Sequence, residues 1–365
     1  MTTPIKHMLI PVLFVGFLFT GMITTLLTPD QAYSDAERRR LRQRPIPDQS
    51  DIFDGDYYQK LEQYSLDQFT YRERFRMINA LTRTRLFNQQ DINGIYRHGD
   101  HLIKMDYRLN PAALRYAGNL FSTIIETHLE GMAIHYGVIP DKNHFTAPQS
   151  HHLQYDYPRL ISLLHANITG ATYIDVFETL SLDDYYRTDH HLRQEAHVDL
   201  SRHLFDHLGI KAPGVPHTVY HTHAGFAGSY YGQAALPLEK DTIRLLMNPT
   251  IAALEAFELQ NENRLPVYDL DGLESIDPYN VFLGGQMALR RIENPTSTTD
   301  KELIVFGDSY MTALAPLLAE GYASVTLIDL RFVSHTVLDT YIDFNDQDVL
   351  FLYSTTILND AFMLS

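Results

Sequence analysis

Three apolar runs near the end of the chain, Leu303–Phe306, Ser324–Leu330 and Val349–Tyr353, alternate with two helix-like stretches, Ser309–Glu320 and Thr336–Ile342. A strand with one wet face alternates apolar and polar residues, whereas a strand apolar on both faces must be covered on both. Repeated strand–helix–strand units of this kind imply an α/β fold with a parallel sheet buried between two layers of helices. The pattern begins earlier. The apolar run Met132–Ile139 ends before Pro140, and Thr172–Phe177 is β-branched and aromatic. Helical segments Tyr155–His165 and Glu195–Leu208 interleave with them; the second carries Ala196, Leu200, Leu204 and Leu208 at every fourth position and stops at Gly209. Upstream, Tyr57–Phe87 and Pro111–Leu129 also have helical spacing, whereas residues 215–300 are rich in Gly, Pro and turns without clear periodicity, and an inserted lobe is expected near 210–300.

The N-terminus has a different character. Met8–Leu27 is 20 positions without a charge, which as a helix spans about 30 Å, one hydrocarbon thickness. A cleaved signal peptide is the competing reading, but its apolar core is typically about 7–15 residues and ends at a small-x-small site. Only Ala32-Tyr33-Ser34 resembles such a site. Residues 1–28 therefore read as a membrane anchor and 29–50, with Pro29, Pro45 and Pro47, as a linker to a domain over 51–365. Lys6 precedes the span, while Arg38, Arg39, Arg40, Arg42 and Arg44 come after it, a bias that by itself favours keeping the C-terminal side inside the cell. The 365 residues include no Cys, so neither a disulfide framework nor a Cys-ligated zinc site is possible. A formal charge of −16 argues against nucleic acid as the main partner.

Chemistry concentrates in two short motifs. Gly307-Asp308-Ser309-Tyr310 directly follows the apolar run 303–306. That puts Ser309 outside the carboxyl end of a parallel strand, where open α/β sheets place their sites, with its N–H at a helix N-terminus. Asp308 and Ser309 would also serve as plain helix caps. Thr188-Asp189-His190-His191 supplies the groups a serine lacks: His191 as a base and Asp189, two residues away, as the acid that orients it. In an extended turn His190 then points elsewhere. A metal reading is weaker. His203 and His207 share a helix face and His221 and His223 form an H-x-H pair, but there is no HExxH.

With these residues in place the chain resembles the DHHW family, SGNH hydrolase-like proteins related to those of alginate and other polysaccharide O-acetylation. Six blocks run in the family's order: Phe53–Tyr58 with Leu61–Tyr64, Asp67–Phe69 and Arg72; Tyr185–His191; Phe226–Tyr231; Tyr279–Gly285; Gly307–Tyr310 with Pro316; and Ile328–Arg331. The chain departs from the pattern at Leu192, where the family name has Trp, at Arg193, where a capping Thr is common, and at Gln286, where Asn is common. The resemblance implies a three-layer α/β/α SGNH-like domain, with Ser309 as nucleophile, His191 as base and Asp189 as its orienting acid. Gly228, Gln286, Tyr310 and Arg331 are the candidate oxyanion or substrate-binding positions. Gly228 is equally readable as a tight turn, and Arg331 as a cap on the sheet edge.

The function implied by this resemblance is that of an extracytoplasmic O-acetyltransferase or acetylesterase acting on a cell-surface glycan, without metal or cofactor. The acyl group must cross the membrane, so the resemblance implies a membrane-bound O-acyltransferase partner. A glycan acceptor outside the cell overrides the arginine bias at the N-terminus. The alternative is a non-catalytic glycan-binding or scaffold subunit of a polysaccharide O-acetylation complex, whose sugar contacts the 23 Tyr could supply. The anchor reading is checked by N-terminal sequencing of the mature protein, which is expected to retain Met8–Leu27; a chain starting after Ser34 would refute it. Protease added to intact cells is expected to digest the domain.

Overall fold

The structure, a computed structural model, describes residues 3–34, 36–47 and 53–365. Asp35 and residues 48–52, in the expected linker and at the start of the expected domain, lie outside the described residues, as do the side chains of residues 3–7. The chain divides into two compact units: residues 1–92 with 231–237, and residues 93–230 with 238–365.

In the first unit the apolar helix runs Thr3–Leu27, and its segment Met8–Leu27 is long and apolar enough to cross a membrane. Tyr33–Ser34 then pairs antiparallel with Arg39–Arg40. The expected helix over 57–87 is two, Asp56–Asp67 and Arg72–Leu81, continued by a wider turn over Thr82–Leu86. The break falls at Tyr71, which is in the left-handed conformation at φ 62°. Arg39 binds both oxygens of Asp67 at 2.9 and 2.6 Å, and that pairing pulls Asp67 down to about 2 against the opposing effect of burial.

The second unit is built on one eight-stranded sheet. In chain order its strands are β1 (Ile134–Ile139), β2 (Thr172–Ile174), β3 (Glu255–Glu258), β4 (Asn263–Leu265), β5 (Leu289–Glu293), β6 (Glu302–Gly307), β7 (Ser324–Ile328) and β8 (Asp348–Ser354). The spatial order is β4-β3-β5-β7-β6-β8-β1-β2. From β7 to β2 every pairing is parallel, and from β7 to β4 every pairing is antiparallel. Four helices cover the faces: α1 (Pro111–His128), α2 (Tyr157–His165), α3 (Gln194–Leu208) and α4 (Met311–Leu318). Alternate residues of β6 separate the two cores. Ile304 and Phe306 pack with Leu114, Phe121 and Leu160 of α1 and α2; Leu303 and Val305 pack with Leu200, Leu204 and Leu314 of α3 and α4. This is a three-layer α/β/α architecture.

Three local expectations change. Ser309 and Tyr310 form a turn, and the helix starts at Met311. The expected helix at 336–342 is a single 3-10 stretch, His335–Thr340. Residues 210–300, expected as an inserted lobe, supply a hairpin (Thr218–Phe226 with Asp241–Met247) and then β3, β4 and β5 of the main sheet. Strands of three to five residues carry too few positions for a period to register.

Numbered from β6, the five parallel strands run in the flavodoxin-like order 2-1-3-4-5, entered at the fourth strand. The switch point of that order lies between β6 and β8, and Ser309 follows β6. The same permutation explains why the D-x-H motif precedes the serine in the chain: it follows β2, the last strand of the cycle.

Phe351 of β8 stacks on Phe306 at 4.5 Å and on Phe121 at 4.7 Å, tying two central strands to α1. Phe351→Ala is expected to cost about 3–5 kcal/mol, read as a lower denaturant midpoint at unchanged slope.

Candidate functional site

Ser309, His191 and Asp189 meet at the carboxyl end of the parallel sheet. His191 Nε2 is 2.8 Å from Ser309 Oγ, and His191 Nδ1 is 2.7 Å from Asp189 Oδ1. With Asp189 accepting the Nδ1 proton, Nε2 is left as the acceptor for the serine hydroxyl. The imidazole is in contact with two rings. Tyr279 stacks on it at 3.9 Å with an interplanar angle of 13°, and the His190 ring lies against it at 3.8 Å, tilted by 36°. His190 therefore does not point away from the site as expected; its Nδ1 lies 3.2 Å from Ser229 Oγ and 3.3 Å from Asp189 Oδ1. Ser309 itself faces His191, not His190.

Asp189 is wholly buried, so its carboxylate needs a donor for each oxygen. The His191 N–H donates to Oδ1 at 3.0 Å and the Ser229 N–H to Oδ2 at 2.7 Å. Two charged side chains clamp the backbone of the same turn. The Lys142 ammonium donates to the carbonyls of Tyr186, Arg187 and Asp189 at 2.8, 3.0 and 3.1 Å. Burial pushes this ammonium down to about 7, while Asp189 and Asp241 pull it back up. From the other side Asp241 accepts from the N–H groups of Arg187 and Thr188 at 2.8 Å each and from Thr188 Oγ1 at 2.5 Å. Neither residue stands out in the sequence. Lys142 has one signal, its place just past the carboxyl end of β1; Asp241 has none.

The remaining expected positions fall around this core. Gly228, read as an oxyanion donor or a turn, instead backs the D-x-H motif: its N–H donates to Thr188 Oγ1 at 3.0 Å, and a Cβ there would collide with Asp189 Cβ and Thr188 O. The Tyr310 hydroxyl donates to the His190 carbonyl at 2.6 Å. Arg331 is engaged by Asp329 at 2.8 and 2.5 Å and so buttresses the end of β7. Gln286 shares with Ser309 a cleft also lined by Arg290, Asp308 and Thr312. Gly284 and Gly285, both at positive φ (72° and 85°), turn the chain into that cleft. Arg290 holds the turn by donating to the Gly285 carbonyl. It is buried, a condition that pushes its guanidinium down to about 10, and its Nε has no partner among the described residues. The Ser309 N–H likewise donates to no acceptor among the described residues, which leaves it available to an oxyanion. Asp189, His190 and His191 lie close enough to share a cation, their ligand atoms all within 4.8 Å. A metal would have to displace the 2.7 Å bond between His191 and Asp189. His203 Nε2 is 2.7 Å from the Asp175 carbonyl oxygen and His207 Nδ1 2.9 Å from that of His203.

The family model of DHHW proteins matches residues 159–328. Over that stretch the chain is similar to DHHW proteins. Among solved structures the chain is similar to a DHHW family protein from Eubacterium siraeum, at 17% identity and TM-score 0.58 over 72% of this chain and 91% of that one. It is also similar to PatB1 of Bacillus cereus, at 17% identity and TM-score 0.57 over 72% and 96%. PatB1 has been solved with a sulfonyl adduct as well. No curated protein sequence matches the chain. At these identities the likeness is one of fold. Where the DHHW name has Trp, Leu192 is fully buried in the α3–α4 core. Arg193, at the N-cap of α3, makes no side-chain cap and reaches the Asp183 carbonyl instead.

The clamp on the DHHW turn has a measurable consequence. Lys142→Met leaves the buried Tyr186 and Asp189 carbonyls without their Lys142 donor and loosens the turn that holds His191. A fall of about 10- to 100-fold in kcat for transfer from an activated acetyl ester, with KM little changed, is expected.

Proposed function

We propose that this chain is an extracytoplasmic serine acyltransferase that moves acetyl groups onto, or off, hydroxyls of a cell-surface glycan. The observation that carries the reading is the unbroken Asp189–His191–Ser309 hydrogen-bond chain at the sheet's switch point, beside a free Ser309 N–H. The DHHW resemblance and the apolar N-terminal helix support it. His191 Nε2 takes the proton from Ser309 Oγ as the oxygen attacks the acetyl carbonyl, and the oxyanion forms against the Ser309 N–H. Asp189 keeps the imidazolium oriented and balances its charge. Collapse of the tetrahedral intermediate expels the donor's leaving group, which takes the proton from His191, and leaves an acetyl ester on Ser309. In the second half His191 removes the proton from a sugar hydroxyl, or from water, as that oxygen attacks the ester, and returns it to Ser309 Oγ as the serine–acetyl bond breaks. A sugar acceptor makes the enzyme an O-acetyltransferase and water makes it an acetylesterase.

The helix Met8–Leu27 anchors the domain on the outer side, where the glycan is. Acetyl groups delivered across the membrane by a membrane-bound O-acyltransferase would then meet Ser309 without diffusing away.

The test is intact mass after incubation with an activated acetyl ester. An adduct of about 42 Da, one acetyl group, is expected on the wild-type chain and none on Ser309→Ala, which should keep its thermal midpoint. A sulfonyl fluoride should label the same residue. His190→Ala is expected to be mild beside His191→Ala. A correctly folded wild-type chain that takes no adduct would leave glycan binding as the function.

A further inference from the structure

The first unit carries a row of exposed apolar side chains that no core accounts for. Tyr71, Phe75, Ile78 and Leu86 recur at helical spacing along Arg72–Leu81 and its continuation, and each is more than a third exposed. The other side of the same helix is polar and engaged. Arg72 and Arg76 pair with Glu37 at 2.5 and 3.1 Å, and Ala80 is buried.

How deep this row lies is set by its contacts with the apolar helix. Gln68 exchanges two hydrogen bonds with the Gln31 backbone, both 2.9 Å, just beyond the span. Thr70 Oγ1 then reaches Thr28 Oγ1 at 3.3 Å, and the Thr70 N–H reaches Thr25 Oγ1 at 3.2 Å. The Phe69 ring packs beside Gly21. Gly21 precedes Leu27 by six residues, about 9 Å of helix rise. If Met8–Leu27 crosses the bilayer, Phe69 lies inside it, and the next helix enters at the boundary between headgroups and acyl chains. Interfacial helices bury their apolar faces about 5–10 Å into that zone.

We propose that Tyr71–Phe87 is an interfacial membrane helix, its apolar row resting on lipid beside the anchor. This rests on the anchor reading above. The occupant is lipid because the row is continuous with the apolar helix's own exposed face: Phe69 bridges Gly21 to Phe75, whose ring is 5.3 Å away. The flanking charges fit as well. Arg74 and Arg85 are exposed and make no ion pair among the described residues. Arg74 lies over the Tyr71 ring at 5.3 Å, so its stem can cover apolar surface while the guanidinium reaches lipid phosphates. Such a helix fixes the tilt of the first unit against the membrane, which a single spanning helix with a free linker after it does not.

The absence of Cys makes the test direct. Full-length Ile78→Cys, Leu18→Cys and Arg42→Cys are each labelled with one environment-sensitive fluorophore. They are reconstituted into phosphatidylcholine–phosphatidylglycerol vesicles with or without brominated acyl chains. Ile78 is expected to lose about half its fluorescence to the brominated lipid, as a residue at interfacial depth does; Leu18 should lose more and Arg42 little. Quenching at Leu18 with none at Ile78 beyond that of Arg42 would overturn the proposal while sparing the anchor, and would hand the apolar row to a protein partner. Absence of quenching at Leu18 would overturn the anchor and this proposal together.

Discussion

Asp189 is a carboxylate buried out of reach of water, and such a charge costs several kcal/mol unless its surroundings replace the lost hydration. Much of the local structure answers that demand. The turn curls so that the His191 N–H points back at Oδ1, and the segment carrying Gly228 approaches closely enough for the Ser229 N–H to reach Oδ2. Only a residue without a side chain fits at 228. Lys142 and Asp241, clamping the same backbone from opposite sides, hold the turn in place. The geometry of His191 is thus a product of satisfying Asp189. An imidazole stacked on Tyr279 and in contact with the tilted His190 ring has little freedom left, and its Nε2 points at Ser309.

The sheet brings the two motifs together. Parallel strands share one carboxyl end, so the loops after β2 and β6 open on the same side. Between β6 and β8 the connections of the cycle diverge and leave a crevice that nothing in the sheet fills. The DHHW segment spans this arrangement from α2 to β7. The antiparallel strands β3 to β5 extend the sheet on the other side, and the turn before β5 carries Gln286 and Met287 to the cleft beside Ser309.

The arginines after the anchor illustrate how tertiary contacts reinterpret composition. Counted along the chain, Arg38–Arg44 form a positive cluster. In the folded unit Arg39 is bound by Asp67 and Glu37, and Glu37 is shared with Arg72 and Arg76. Burial alone would raise Glu37, but the three guanidinium groups outweigh it and hold the carboxyl below its ordinary value. A charge tied into such a cluster presents less free positive charge than the residue count suggests.

The sequence by itself determined the α/β class, the uncharged N-terminal span and the identities at Asp189, His191 and Ser309. Each of these is written in local pattern: runs of apolar residues longer than a half-wet strand allows, a Gly-Asp-Ser turn after one of them, a carboxylate two residues from an imidazole. Tertiary structure alone decided what lies across 40 to 120 residues. It brought Lys142 beneath the D-x-H turn, turned Gly228 from a donor candidate into a spacer, and engaged Tyr310 with the His190 carbonyl. It also kept His190 against His191, where the alternation of an extended chain puts it on the far side. The physical reason is range. Periodicity reports which face of one element is buried, whereas hydrogen-bond partners depend on strand register and helix packing, which no single segment encodes.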